Sequence, residues 1–232
     1  MKLPAPLIPG RLLKRYKRFL TDVELQDGSV VTAHCPNSGS MKNLIDGHPD
    51  VYLSKSDNPK RKLAYTLELI EREGHKVAAY SAKANDIVVE ALQDGIIKPL
   101  AGFDTLRTEV PYGNGSRIDI LLEYGETLCY VEVKSVTLLE ADGLLQFPDS
   151  VTTRGQKHLQ ELMNVVAAGH RGVIFFAVLH TGGDRFSPAD GIDPRYGGLL
   201  RQAVASGVEA YCYQAAIDTE NIRLVRPLPI EL

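Results

Sequence analysis

Three residues with the chemistry of a metal-dependent hydrolase lie close together in the middle of the chain. Residues 130–134 read Tyr-Val-Glu-Val-Lys, and the alternation of side chains along a strand places Glu132 and Lys134 on one face and the two valines on the other. Asp119 lies shortly before them, among the apolar residues of 118–122. Two carboxylates beside a lysine can hold a divalent cation and stabilise negative charge on a phosphate. We therefore take Asp119, Glu132 and Lys134 as candidate catalytic residues.

A hairpin sets the position of Asp119 relative to Glu132. Gly125 and Glu126 predict a turn between strands over residues 117–123 and 127–134. The resulting register places Asp119 directly across from Glu132. Opposed carboxylates destabilise a sheet, so we expect a divalent cation, Mg²⁺ or Mn²⁺, to offset the repulsion. The alternative is a solvent-exposed hairpin face on which Glu132 pairs with Lys134 or Arg117, and the residues leave both interpretations open.

A short helix before the hairpin supplies a further acid. The pattern predicts this helix over residues 87–94, with Asn85 or Asp86 as its cap and Gly95 at its end. Its apolar residues place Glu90 near the buried side, so we expect Glu90 to complete the metal shell. An Asp on one strand, Glu-x-Lys on the next and then a helix resemble the pattern of the PD-(D/E)xK nuclease superfamily.

The N-terminal part of the chain is basic. Up to Lys62 there are 11 basic and 6 acidic residues, a local charge of +5, although the whole chain carries −3. Two basic clusters with interleaved aromatic residues favour contact with a nucleic acid, the alternative being a solvated strand face. The residues concerned are Arg11, Arg15, Tyr16, Lys17 and Arg18 in the first cluster, and Lys60, Arg61 and Lys62 in the second.

Two further segments could contact phosphate. An amphipathic helix is predicted over residues 154–168, and we expect Arg154, Lys157 and His158 on its exposed side, near the metal. A solvated helix face is an equal alternative for these three residues. The loop 37–40, Asn-Ser-Gly-Ser, could cradle a phosphate with its backbone amides, but a tight turn is the favoured interpretation.

Strand and turn patterns divide the chain into two predicted domains. Five short strands, over residues 12–24, 30–33, 51–53, 64–70 and 76–80, indicate a small closed barrel of the OB type in residues 1–82. Residues 83–232 show the order helix, three strands, helix, strand, helix, strand, which predicts a mixed sheet flanked by helices. The expected fold class is therefore a two-domain α+β or α/β protein.

The composition limits where the protein acts. Three scattered cysteines without a Cys-x-x-Cys pair argue against a disulfide framework or a zinc ribbon. The longest apolar run, residues 172–179, is too short for a membrane helix, and the N-terminus has no apolar signal core. We expect a cytoplasmic protein without a membrane partner, and both a monomer and a homodimer stay open.

Several stretches together resemble the sugar fermentation stimulation protein (SfsA) family along the whole chain. They are residues 15–19, 34–41, 58–63, 116–119, 130–134, 147–149 and 153–159. The resemblance implies an N-terminal OB-like domain, a C-terminal PD-(D/E)xK nuclease-like domain, DNA binding and a link to the regulation of sugar (maltose) metabolism.

The nuclease positions of the superfamily are all present here, as Asp119, Glu132 and Lys134. The expected function is DNA binding with Mg²⁺-dependent hydrolysis of a phosphodiester, and RNA is a further candidate substrate. The alternative is a non-catalytic DNA-binding transcriptional regulator. A sugar- or nucleotide-sensing module is a third class, for which the sequence shows no dedicated pocket motif.

Overall fold

The N-terminal part of the chain forms a closed barrel. The computed structural model describes residues 1–37, 39–41, 43–113, 115–140 and 142–232. Six strands make the first sheet: β1 (Ile8–Tyr16), β2 (Leu20–Leu25), β3 (Val30–His34), β4 (Asp50–Lys55), β5 (Tyr65–Arg72) and β6 (His75–Ala78). Their order is β3-β2-β1-β4-β5-β6, and a further pairing of β3 with β5 closes the first five strands around a buried apolar core.

The predicted single strand over residues 12–24 is wrong, because the chain turns within it. Lys17 and Arg18 have φ values of 48° and 66°, in the left-handed region that few residues other than glycine adopt. The side chain of Arg15 supports this turn by donating from Nε to the backbone oxygen of Arg18 at 3.1 Å. The predicted long strand is therefore two strands, and five of the six strands of this sheet close the barrel.

The second sheet is mixed and carries the hairpin. Its strands are β7 (Thr105–Tyr112), β8 (Ser116–Tyr124), β9 (Thr127–Val136), β12 (Arg171–Val178), β14 (Glu209–Ile217) and β15 (Ile222–Pro227). Their order is β15-β14-β12-β9-β8-β7, with β9, β12 and β14 parallel to one another. A small third sheet contains β10 (Leu138–Leu139), β11 (Leu144–Phe147) and β13 (Arg185–Pro188).

Helices cover both faces of the second sheet. The helix α1 (Ala84–Gln93) packs on one face, and α2 (Thr153–Ala167) and α3 (Pro194–Ala205) pack on the other; short 3₁₀ helices span Ser81–Lys83 and Lys98–Leu100. Val131 and Val133 of β9 belong to the core under α1, so the side chains of Glu132 and Lys134 face α2. None of the helices in the described ranges is long and apolar enough to cross a membrane.

Strand β6 joins the barrel to the second sheet. The backbone N–H of Ala78 donates to the oxygen of Leu179 at 3.0 Å, and that of Thr181 donates to the oxygen of Lys76 at 3.0 Å. These bonds extend from the end of β12, the strand that lies beside β9. The barrel is therefore held next to the part of the sheet that carries Glu132 and Lys134.

Candidate active site

The β8–β9 hairpin has the predicted register from its turn up to the residues next to the two candidate carboxylates. Tyr124 pairs with Thr127, and the ladder continues to the pair of Ile120 and Val131. The paired ladder ends there, one residue short of Asp119 and Glu132. The Asp119 carboxylate accepts hydrogen bonds from the backbone N–H of Val133 and from the Asn85 amide, both at 2.8 Å. These bonds tie Asp119 to its partner strand and to the start of α1.

Glu132 is the centre of a buried cluster with Lys134 and His158. The three residues are 2%, 9% and 4% exposed. Lys134 Nζ donates to Glu132 Oε1 at 2.5 Å, and the Nδ1 atom of His158 makes a short contact with the same oxygen. Lys134 Nζ also lies 3.2 Å from His158 Nδ1. The alternative of an exposed hairpin face is therefore wrong about burial, although Glu132 does pair with Lys134.

The two carboxylates have opposite pKa shifts. Burial raises the pKa of Asp119, the charge of Glu132 adds to the rise, and the bonds from Val133 and Asn85 only partly oppose it. Burial also acts to raise the pKa of Glu132, but the bonds and charges of His158 and Lys134 outweigh it, so the pKa is lowered. Glu132 is therefore held as a carboxylate, and ionised Asp119 is the group that gains most from an added positive charge.

The donor atoms of this cluster fit a hard divalent cation. The second oxygen of Glu132, Oε2, is buried without a hydrogen-bond partner among the described residues, and the charge of Glu132 contributes to the raised pKa of the half-buried Asp119. One or two carboxylates plus waters and phosphate oxygens is the shell that Mg²⁺ commonly takes in proteins. The described residues contain no metal-binding group of three or more His, Cys, Asp or Glu side chains.

Glu90, predicted as a further metal ligand, lies elsewhere. Its side chain is 49% exposed and forms an ion pair with the N-terminal amine of Met1. Glu90 is five residues beyond Asn85 on α1, a rise of about 7.5 Å along the helix axis. The predicted cap was also wrong: Lys83 occupies the N-cap position, and the side chain of Asn85 binds Asp119. The contribution of α1 to the cluster is Asn85, for which the sequence carries no distinct signal.

The helix α2 contributes a buried residue where an exposed one was predicted. His158 points into the sheet because it lies on the face of α2 that carries Leu159 and Leu162. Arg154 is exposed, and its Nε lies 3.4 Å from His158 Nε2. Lys157 has a half-exposed side chain that lies 3.5 Å from the Glu161 carboxylate. Of the three predicted phosphate contacts, only Arg154 and Lys157 reach solvent.

Arg15 has a structural role in the barrel. Its guanidinium donates to the backbone oxygens of Asn37 at 2.7 Å and Gly39 at 3.0 Å, which holds the loop that contains them. Tyr16 is also engaged, through a 3.1 Å hydrogen bond to Asp22. The exposed members of the predicted basic clusters are Arg11, Lys17, Arg18, Lys60, Arg61 and Lys62. Ser38, in the predicted 37–40 turn, lies outside the described residues.

A cleft of about 360 Å³ separates this loop from the sheet. Asn37 and Gly39 line it from the barrel, and Lys134 lines it from β9. Asp149 also lines the cleft and accepts hydrogen bonds from Ser40 Oγ at 3.1 Å and from the backbone N–H of Met41 at 3.2 Å. Residues of the barrel and Lys134 of β9 therefore line the same cleft.

Comparison with known proteins identifies the family. A profile described as the SfsA N-terminal OB domain matches residues 13–78, and one described as the sugar fermentation stimulation protein RE domain matches residues 82–221. The chain belongs to the SfsA family. Its OB-like barrel and its mixed, restriction-endonuclease-like second sheet are the predicted fold class, which is confirmed.

Relatives of similar length match the whole chain. Sugar fermentation stimulation protein homologs from Geobacter sulfurreducens and Geobacter metallireducens are each 54% identical, over 99% and 100% of this chain and 98% and 100% of their own length. The solved structure of Pyrococcus furiosus SfsA in complex with Ca²⁺ has a TM-score of 0.88 at 25% identity, covering 100% of this chain and 98% of that one.

Proposed function

We propose that this SfsA-family protein binds DNA and hydrolyses a phosphodiester with a divalent cation, at the cluster of Asp119, Glu132 and Lys134. The observation that carries the proposal is the buried Glu132–Lys134 pair, which leaves the Oε2 atom of Glu132 without a partner among the described residues. A buried, ionised carboxylate with a free oxygen beside a second carboxylate suits cation binding. The Ca²⁺ bound by the Pyrococcus furiosus relative supports the same chemistry.

Each residue of the cluster has a distinct role in this proposal. Asp119 and the Oε2 atom of Glu132 would hold the cation, which when bound would neutralise phosphate charge and acidify water. His158 Nδ1 and Lys134 Nζ fix the other oxygen of Glu132 and so orient its carboxylate. Lys134 also lines the cleft, where its ammonium group can donate to a phosphate oxygen as negative charge develops.

The nucleic acid is proposed to reach this cluster along the cleft between the barrel and the sheet. The exposed basic residues Lys17, Arg18, Lys60 and Lys62 give the barrel a surface that attracts phosphates. Contacts of this kind make affinity fall steeply with salt and carry little sequence preference. Arg15 is assigned a positioning role, because its guanidinium is occupied by the backbone of the loop that lines the cleft.

A cleavage assay on the full chain tests the proposal. Wild type is incubated with single- and double-stranded DNA and with RNA, in Mg²⁺, in Mn²⁺ and in EDTA. We expect products with a divalent cation only, and their loss in Glu132→Gln. Glu126→Gln is the matched control, since Glu126 is exposed in the turn of the same hairpin. Absence of cleavage by wild type on every substrate would refute the enzymatic part.

Non-catalytic DNA binding is the second candidate function. It is favoured by the contacts of Lys134 and His158 with Glu132, since a buried ion pair of this kind can stabilise the fold without taking part in catalysis. A gel-shift experiment run beside the cleavage assay separates the two functions. If the protein is a non-catalytic regulator, we expect retarded DNA without products, a preference for one promoter sequence, and a DNA affinity that is unchanged in Glu132→Gln.

A further inference from the structure

A second pocket lies on the α2 side of the sheet, lined by Tyr130 of β9 and by residues of α2. It has a volume of about 260 Å³, and aromatic rings form its wall. The ring centroids of Tyr112 and Tyr130 are 5.7 Å apart, and those of Tyr130 and His170 are 6.0 Å apart. Tyr112 and Tyr130 are only partly buried, so their rings offer surface to a flat ligand.

The pocket lies one step along the strand from the proposed catalytic pair. Tyr130 and Glu132 are two residues apart on β9, so their side chains share a face at a spacing of about 7 Å. On α2, Glu161 follows His158 by three residues, which places them as neighbours on the helix surface. Lys134 is four residues from Tyr130 on β9, about 13 Å along the strand, so a nucleic acid with a phosphate at Lys134 can place the base of a nearby nucleotide in this pocket.

Two buried polar atoms in the pocket make no hydrogen bond of ordinary geometry among the described residues, although the two side chains that carry them interact with each other. They are Glu161 Oε2 and the hydroxyl oxygen of Tyr112. Glu161 is only 7% exposed, and its other oxygen accepts from Ser116 Oγ at 2.9 Å. A buried polar atom without a partner costs stability, so each such atom in a native protein calls for an explanation. A ligand that hydrogen-bonds to both atoms would remove this cost.

Gly113 leaves the space that Glu161 occupies. A Cβ atom at this position would lie 3.1 Å from Glu161 Oε1, and the φ of +55° is one that other residues rarely adopt. Burial, followed by the charges of Glu132 and Glu161, raises the pKa of Tyr112, so its hydroxyl stays protonated. The pocket therefore presents a carboxylate acceptor and a neutral phenol beside aromatic faces.

We propose that this pocket binds an unpaired nucleobase with an exocyclic amino group: adenine, cytosine or guanine. The inference rests on the proposed function, which places the phosphate backbone of the same strand at Lys134. Aromatic rings stack on any base, whereas the Glu161 carboxylate favours an amino group over the imide of thymine, whose single N–H lies between two carbonyl oxygens, and it repels phosphate. A base within an intact duplex cannot enter such a pocket, so the ligand is a single strand or a locally unpaired one.

Binding of short single strands to the full chain in EDTA tests this proposal. Fluorescein-labelled oligodeoxycytidine and oligothymidine are the probes, and fluorescence anisotropy measures affinity for wild type, Tyr130→Leu, Tyr130→Phe and Glu161→Gln. We expect tighter binding of oligodeoxycytidine by wild type. Tyr130→Leu should weaken it roughly tenfold or more, by loss of stacking, and Tyr130→Phe should retain it. Glu161→Gln should reduce the preference for cytosine over thymine.

The controls separate this proposal from the active-site proposal. Leucine keeps an apolar contact with the core, and thermal unfolding checks that Tyr130→Leu is folded. Equal affinity of Tyr130→Leu and wild type for oligodeoxycytidine would overturn the base pocket, even if wild type cleaves DNA with Mg²⁺. Failure of wild type to bind either oligonucleotide would overturn it too. Binding that depends on Tyr130, in a protein that cleaves nothing, would support the pocket and refute only hydrolysis.

Discussion

Removal of the Lys134 ammonium group should destabilise the protein by leaving Glu132 as a buried charge without its cation. Glu132 is 2% exposed, and the ion pair has a separation of 2.5 Å. Coulomb's law with an effective dielectric constant of about 20 gives an attraction of about 7 kcal/mol at this distance, before the cost of desolvating both charges. Breaking one partner of a buried pair costs about 3–5 kcal/mol. For Lys134→Met we expect about 3 kcal/mol, because His158 keeps its contact with Glu132.

Urea unfolding in EDTA measures this loss. For a slope of about 3 kcal/mol/M, the midpoint of Lys134→Met should fall by about 1 M. The double variant Lys134→Met/Glu132→Gln has no isolated buried charge and should recover most of the loss, so the two single changes should not add. The matched control is Lys83→Met, which breaks the exposed pair with Asp86 and should cost less than about 0.5 kcal/mol.

The same pair predicts a dependence on pH. The folded-state pKa of Glu132 is lowered, so its contribution to stability is present above the ordinary value of 4.5 and is lost as the pH falls through the folded-state pKa. Lys134→Met removes one cause of the lowering and should therefore show less loss of stability on acidification. Wild-type stability of Lys134→Met, or simple addition of its effect and that of Glu132→Gln, would show that Glu132 and Lys134 are not a coupled buried pair.

Three further predictions concern the surroundings of the site. Asp119→Asn should stabilise the metal-free protein with an advantage that grows as the pH rises above the ordinary carboxyl value of 3.8, because ionisation of a carboxyl with a raised pKa costs stability as pH rises. A difference that does not vary with pH in urea unfolding would contradict this. Arg15→Met should speed hydrogen exchange of the Gly39 and Met41 amides roughly tenfold, because the charged donor no longer holds the loop, whereas the same change at exposed Lys14 should not. Asp193→Ala should lower the free energy of unfolding by about 2 kcal/mol, measured by thermal unfolding, because this carboxylate caps α3 and accepts from the Thr152 N–H. The control Asp190→Ala breaks an exposed pair with Arg201 and should cost less than about 1 kcal/mol. Equal losses in the two variants would contradict the capping role of Asp193.

The register of the β8–β9 hairpin was predictable because it depends on local chemistry. Gly125 has a φ of 57°, which the tight turn requires, and a two-residue turn determines which residues face each other along both strands. The alternation of side chains then assigns Glu132 and Lys134 to one face. The candidate catalytic residues were found in this way, from residues within a few positions of one another.

The turn at Lys17 and Arg18 could not be predicted from the residues of the turn itself. A left-handed backbone usually calls for glycine or asparagine, and neither is present between β1 and β2. The turn exists because Arg15 binds the oxygen of Arg18 and because both strands pair within the closed barrel. Its stabilisation therefore comes partly from contacts that form only when the barrel does.

The sequence alone determined the family, the two kinds of fold and the hairpin that carries Asp119, Glu132 and Lys134. Only the tertiary structure decided which distant side chains complete the cluster: Asn85 and His158 join it, and Glu90 does not. The reason is geometric. Spacing along a helix shows which residues share a face, but the rotation of that helix against the sheet is set by packing of its whole apolar surface. The packing of α2 buries His158 against Glu132, and the packing of α1 leaves Glu90 half-exposed beside the N-terminal amine of Met1.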